Sequence, residues 1–278
     1  MLSLLELAIL TSLTAGSLCG AVGFHAFKMG VITLSFAVAH GALAGAAIGL
    51  VLRVDVSYSA LIAAILTATT LSLSLSKLGP FRELINMVFF STSSAIALLS
   101  IYYANVKVLA TTNVAALLWG SVLTVTPFKY FLLLSTALSY LAYYLAFKWK
   151  INSIIYDRRL AEAEGINVTL HTSLLLTFEG LSIALTLMLV GGFLVFSLLY
   201  NPVIASSNLT KETKGQLLLS TTLGGFSSLM GLAISYLFDS PVGASIALSS
   251  ATLVIASYFL KFLKNRLNQY LLSGNRNP

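Results

Sequence analysis

The stretch from residue 29 to 52 contains no Asp, Glu, Lys or Arg, and comparable charge-free apolar runs recur along the chain. A helix needs about 20 predominantly apolar residues to cross the hydrocarbon of a bilayer, and these runs reach that length. The implied fold class is all-α, a polytopic transmembrane helical bundle. Hydrophobic residues make up 58% of the 278 and charged residues 9%, against about 25% charged in soluble domains, so the charges mark loops and no sizeable soluble domain remains. A multi-pass protein of the cell (plasma or inner) membrane, with lipid as its constant neighbour, is expected.

The net charge of +7 needs no nucleic-acid partner, because membrane proteins collect Lys and Arg in their cytoplasmic loops. Cys19 is the only cysteine, which removes an internal disulfide or a Cys-based metal site. The first run lacks a basic leader and carries Glu6, so it reads as a retained span rather than a cleaved signal peptide.

Candidate spans cover residues 4–24, 29–52, 56–76, 84–104, 127–147, 172–190, 191–207, 215–237 and 242–260, a bundle of eight or nine. The region 172–207 is too long for one crossing, and Gly191, Gly192 and Pro202 offer places to break it. Lys148, Lys150, Arg158 and Arg159 mark one cytoplasmic segment, and Lys261, Lys264, Arg266 and Arg276 mark another. Four spans between them satisfy the positive-inside rule, whereas three do not. If residues 108–124 dip in and return, His25, Lys28, Lys77 and Arg82 also fall on the cytoplasmic side, and the N-terminus lies outside. The organisation is then a single transmembrane domain, 1–278, with a cytoplasmic loop at 148–170 and a short basic cytoplasmic tail at 261–278.

Gly41, Gly45 and Gly49 repeat every four residues, which aligns them on one helix face for close approach of another helix, in packing or along a pathway. His40 and Glu179 lie inside spans, where polar side chains are costly and mark functional sites by default. His25 and His171 fall at span ends and read as solvated.

One charged word stands out, "YDRRLAEAEGINV" at 156–168. Asp157 can cap a helix start and Gly165 suits the left-handed position that ends one. Asp157, Ala161 and Gly165 then share a face with a small residue at its centre, a possible docking surface flanked by Arg158 and Glu162. The chain has no H-E-x-x-H, no G-x-S-x-G and no G-x-x-x-x-G-K-[ST] phosphate loop, so neither catalytic residues nor ATP binding are expected within it.

That word resembles the cytoplasmic segment of permease subunits of the metal-type (zinc, manganese or iron) ABC importers, roughly F-D-x-x-x-A-x-x-x-G-I-x-V. "LLWGSVLTV" at 117–125, "GGFLVFSLLYNPVIAS" at 191–206 and "DSPVGASIAL" at 239–248 are similar to further family segments in the same order. The resemblance implies a type II importer permease fold. It also implies a coupling helix at 157–165, an ATP-binding ABC subunit that holds ATP and magnesium, an extracytoplasmic substrate-binding protein and a second permease copy, most simply as a homodimer. The implied activity is import of a divalent transition metal by alternating access. In the family's D-A-x-S-H motif this chain keeps His40 and the following Gly45, but has Phe36 for the acid and Ala39 for the serine. His40 is therefore the one candidate metal ligand. A secondary transporter or channel for a small solute or ion is the alternative reading.

Overall fold

The computed structural model describes residues 3–74, 81–109, 114, 117–121, 125–191 and 195–274. Ten α-helices follow in order among them: α1 Leu4–Lys28, α2 Ile32–Leu52, α3 Val56–Ser74, α4 Arg82–Tyr103 (continued by a π-helical turn, Ala104–Val108), α5 Pro127–Tyr156, α6 Arg158–Ala163, α7 Val168–Val190, α8 Val195–Leu209, α9 Thr213–Phe238 and α10 Val242–Gly274. No strand occurs among the described residues. All but α6 and α8 are long and apolar enough to cross a membrane.

Local chemistry sets several ends. Ser3 and Glu6 exchange side-chain and backbone hydrogen bonds of 2.7 and 3.2 Å in a capping box, which gives Glu6 a structural reason to stand at the start of α1. Thr126 caps α5 ahead of Pro127, where the missing proline N–H costs nothing. The region 172–207 breaks at Gly191, whose φ of +92° ends α7. Pro202 instead lies within α8, and Gly192 lies outside the described residues.

The 15 residues of α8 span about 22 Å at 1.5 Å per residue, less than the roughly 30 Å hydrocarbon core. It still reverses direction between α7 and α9. Asn201 donates to Ser250 and Asn208 to Ser257, at 2.9 and 3.1 Å, so α8 and α10 run parallel in fixed register. After the charged word, three helices are long enough to cross a membrane and α8 is a shorter one between them.

Two ends differ from expectation. Helix α5 continues past a non-helical residue, Phe147 (φ −117°, ψ 15°), to Tyr156, so 148–156 is a helical extension beyond a kink rather than loop. Likewise α10 runs on to Gly274, so most of the expected tail continues a helix.

The centre of the bundle is packed through small residues. Gly16 of α1 lies against Gly224 of α9, and Gly20 against Ser220, in antiparallel sense. Gly41, Gly45 and Gly49 of α2 meet Thr67, Ala63 and Ser59 of α3 so closely that a β-carbon at any of them would collide. The glycine series thus serves helix packing, as small residues do where no hydrophobic effect drives helices together. Cys19 is buried there, 3.8 Å from Thr186 Oγ1.

Lys28, Tyr156 and Thr213 line a common cavity, which places the C-termini of α1 and α5, the N-terminus of α9 and helix α6 at one end of the bundle. The end of α4 and the start of α5 lie at the opposite end of the bundle. Lys77 lies outside the described residues.

Candidate substrate pathway and coupling surface

His40 is 6% exposed. Its Nδ1 is 3.1 Å from the Phe36 carbonyl one turn back on α2, and its ring stacks on Phe196 of α8 and meets Phe90 of α4 edge-on. Phe36 packs against the same Phe196 with ring centroids 4.5 Å apart, and against Tyr200 at 5.8 Å. The side chain that replaces the family's acid is therefore part of an aromatic cluster that joins α2, α4 and α8.

A carboxylate lies next to this cluster on another helix. Glu179 of α7 is 1% exposed, and its Oε2 accepts a 2.8 Å hydrogen bond from Ser35 Oγ, the residue before Phe36. The Tyr200 hydroxyl lies beside the same carboxylate. Neither Glu179 Oε1 nor the Tyr200 hydroxyl has a well-formed hydrogen bond among the described residues. A fully buried carboxyl group held by only two hydroxyl neighbours, Ser35 and Tyr200, is costly to maintain, which singles the group out from ordinary packing. Since α2 starts at the end that carries α6, Ser35 and Glu179 lie about 7 Å nearer that end than His40, five residues further on. Glu179 also borders a narrow crevice with Met29 and Thr172. Among the described residues, no three His, Cys, Asp or Glu side chains converge in a ready-made metal site.

The charged word folds as its caps direct. Asp157 accepts hydrogen bonds from the Arg159 and Leu160 amides at 2.8 and 3.1 Å. At the other end, Ile166 donates to the Ala161 carbonyl and Gly165, at φ +80°, to that of Glu162, the paired bonds of a Schellman stop. Ser153 ties Glu164 back to α5 at 2.9 Å, and Arg158 pairs with Glu162 at 3.3 Å.

The face through Ala161 turns the other way from a docking surface. Ala161 is fully buried and packs with Ile154, Ile166, Val168 and Met29, because the Schellman stop folds Ile166 back over it. Asp157, Arg159, Leu160, Glu162 and Glu164 remain exposed, so the outward surface is charged with Leu160 as its apolar member. Met29 touches both this seat and the Glu179 crevice.

Two histidines differ from their sequence reading. His25 and His171 are 1% and 4% exposed, and each meets a tyrosine of α5: Tyr140 OH is 2.8 Å from His25 Nδ1, and Tyr143 OH is 2.6 Å from His171 Nδ1. Tyrosine hydroxyls in an apolar span need partners, and the run "YLAYY" at 140–144 was the available signal. Ser35 and Tyr200, which flank Glu179, gave no comparable signal, since nothing in sequence joins α2, α7 and α8 at that level.

Comparison with known proteins identifies the family and the fold. The manganese import system permease protein ScaB of Streptococcus gordonii is 25% identical over 267 residues, covering 95% of each chain. The manganese transport system membrane protein MntC of Listeria monocytogenes is 27% identical, over 94% of this chain and 90% of that one. A solved structure described as PsaBC from Streptococcus pneumoniae in complex with Fab superposes with a TM-score of 0.79 at 24% identity, covering 93% and 92% of the two chains. The ABC 3 transport family matches residues 1–261, and the chain belongs to that family as a membrane-spanning permease of an ABC importer.

Proposed function

We propose that this permease imports a divalent transition metal, manganese first among the candidates, driven by a separate ATPase. The observation that carries this reading is the carboxylate of Glu179 set beside the Phe36–His40 aromatic cluster. A neutral imidazole is a good ligand for such ions but brings no charge. Glu179 supplies the charge that Phe36 cannot. In a pair of copies, two carboxylates balance one dication, and two imidazoles add nitrogen donors. His40 lies deeper in the membrane and Glu179 nearer the cytoplasm, so an ion would pass from one to the other as Phe36, Phe196 and Phe90 part.

The drive enters at α6. An ATP-binding subunit with its magnesium would grip Arg158, Arg159, Leu160 and Glu162, while an extracytoplasmic binding protein delivers the ion at the far end. Closure of the ATPases presses α6 on its seat, and Met29 passes that movement to the Glu179 crevice, giving alternating access. The second permease is a copy of this chain, and Gly165 and Asp157 hold α6 in the shape its partner reads.

The test is metal-stimulated ATP hydrolysis and uptake by the reconstituted complex with manganese, zinc, iron and cobalt. Glu179→Gln and His40→Ala should each lower manganese uptake at least about tenfold, a loss of about 1.4 kcal/mol. Stimulation by none of the four metals would remove the metal reading. Full uptake without the ATPase would make the chain a gradient-driven carrier or channel instead.

A further inference from the structure

Away from the Glu179–His40 cluster, α1, α5 and α9 enclose a groove of about 500 Å³. Its walls are apolar, with Leu13, Leu18, Ala137, Leu141 and Leu217 among them. Leu13, Leu141 and Leu218 at its rim are 41%, 48% and 66% exposed, so the groove opens to the outer side of the bundle. At one end it reaches Lys214, and Lys214 also lines a second cavity, of about 620 Å³, with Lys28, Asn152, Tyr156, Thr213 and Glu212. Each volume falls in the range of about 300–1,000 Å³ that holds small ligands.

The two cavities meet at Lys214, and together they make an amphipathic slot. Its apolar part lies at hydrocarbon depth, and its cationic part lies at the end that carries α6, the cytoplasmic surface by the positive-inside rule. Lys28 rests on the Phe24 ring, 5.7 Å from its centroid. Among the described residues neither Lys28 nor Lys214 makes an ion pair, so two lysines and one carboxylate, Glu212, leave the cavity one positive charge in excess.

We infer that this slot binds an anionic phospholipid of the cytoplasmic leaflet, with an acyl chain between α1, α5 and α9 and the phosphate between Lys28 and Lys214. Only an amphipathic anion already in the bilayer matches both halves at once. A soluble subunit can reach the polar cavity but not the groove. Helix α4, which carries Phe90 of the aromatic cluster, packs chiefly on α2. The groove wall includes Tyr140, whose hydroxyl joins α5 to His25, so a bound lipid would brace the helix that carries α6.

The purified full-length chain in uncharged detergent, offered palmitoyl-oleoyl phosphatidylglycerol or the matching phosphatidylcholine, gives the test by native mass spectrometry of retained lipid. Phosphatidylglycerol should be retained in preference. The double variant Lys28→Gln with Lys214→Gln should weaken that retention roughly 30-fold, from about fivefold per lysine. Ala137→Trp, which fills the groove without touching charge, should remove the retained lipid while thermal stability stays within a few degrees of the parent.

Equal retention of the two lipids would overturn the inference, as would an unchanged preference in the double lysine variant. A double variant that keeps phosphatidylglycerol but loses the ATPase subunit would assign the lysines to a protein contact instead. None of these outcomes depends on which substrate is carried, so the lipid site and the metal reading can fail separately.

Discussion

Helices α2 and α5 both cross the membrane, yet they are held in opposite ways. In α2, 83% of the most apolar window is buried, whereas in α5 the figure is 11%. The first is locked by glycines that bring α3 into backbone contact, and the second is held by two tyrosine hydroxyls on His25 and His171 together with a few apolar contacts. Close packing leaves no room for a small displacement, while a helix with few buried neighbours can move at less cost. The difference separates a frame, built of α1, α2, α3 and α9, from a lever, α5, whose cytoplasmic end leads straight into α6.

The contrast can be broken most severely in the frame. Gly224→Leu forces a branched side chain against the Gly16 carbonyl, and backbone cannot yield as a flexible side chain would. A loss of about 3 kcal/mol or more is expected. In size-exclusion chromatography the variant should give no monodisperse peak, and a well-behaved variant would show that the α1–α9 contact is not rigid.

Next in size is the joint between frame and lever. Ala161→Glu puts a carboxylate into a fully buried seat beside Ile154, Ile166 and Met29, at a cost of at least about 2 kcal/mol. An unpaired carboxylate cannot stay in that apolar seat, so α6 should shift on it while the spans stay inserted. The expected readout is ATP hydrolysis that continues without transport. Normal transport would show that the seat plays no part in coupling.

The smallest expected effect sharpens the comparison instead of breaking it. Tyr140→Phe removes the hydroxyl contacts to His25 and the Ala21 carbonyl, and Tyr143→Phe the one to His171, each such hydrogen bond inside the membrane being worth about 0.6 kcal/mol. Hydrogen–deuterium exchange should rise across α5 and remain unchanged across α2 and α3. Equal increases in both regions would mean that α5 belongs to the frame.

The frame was readable from sequence and the lever was not. Charge-free runs of bilayer length, the glycine series in α2 and the caps at Asp157 and Gly165 all act through local periodicity or local backbone geometry, which a sequence displays directly. The Glu179 neighbourhood is assembled from Ser35, Tyr200 and Phe196 on three other segments, and no spacing rule joins them. His25 and His171 fell at the ends of apolar runs, where water was the simpler partner, because the length of α5 and the inward aim of its tyrosines are tertiary facts. Ala161 was read as the middle of an exposed face for a related reason. The spacing of Asp157, Ala161 and Gly165 shows that they share a face, but only the fold-back of Ile166 shows which way that face looks.

The hydrogen bonds from Asn201 to Ser250 and from Asn208 to Ser257 fall at the same seven-residue interval on both helices. A shift of one helix along the other by a single residue would break both together, so α8 and α10 are geared teeth rather than neighbours free to slip. The short α8 carries Phe196 and Tyr200, the aromatic and hydroxyl groups that face His40 and Glu179. Whatever tilts the long outer helix α10 must therefore retune the innermost polar contacts, over a distance that neither helix bridges alone.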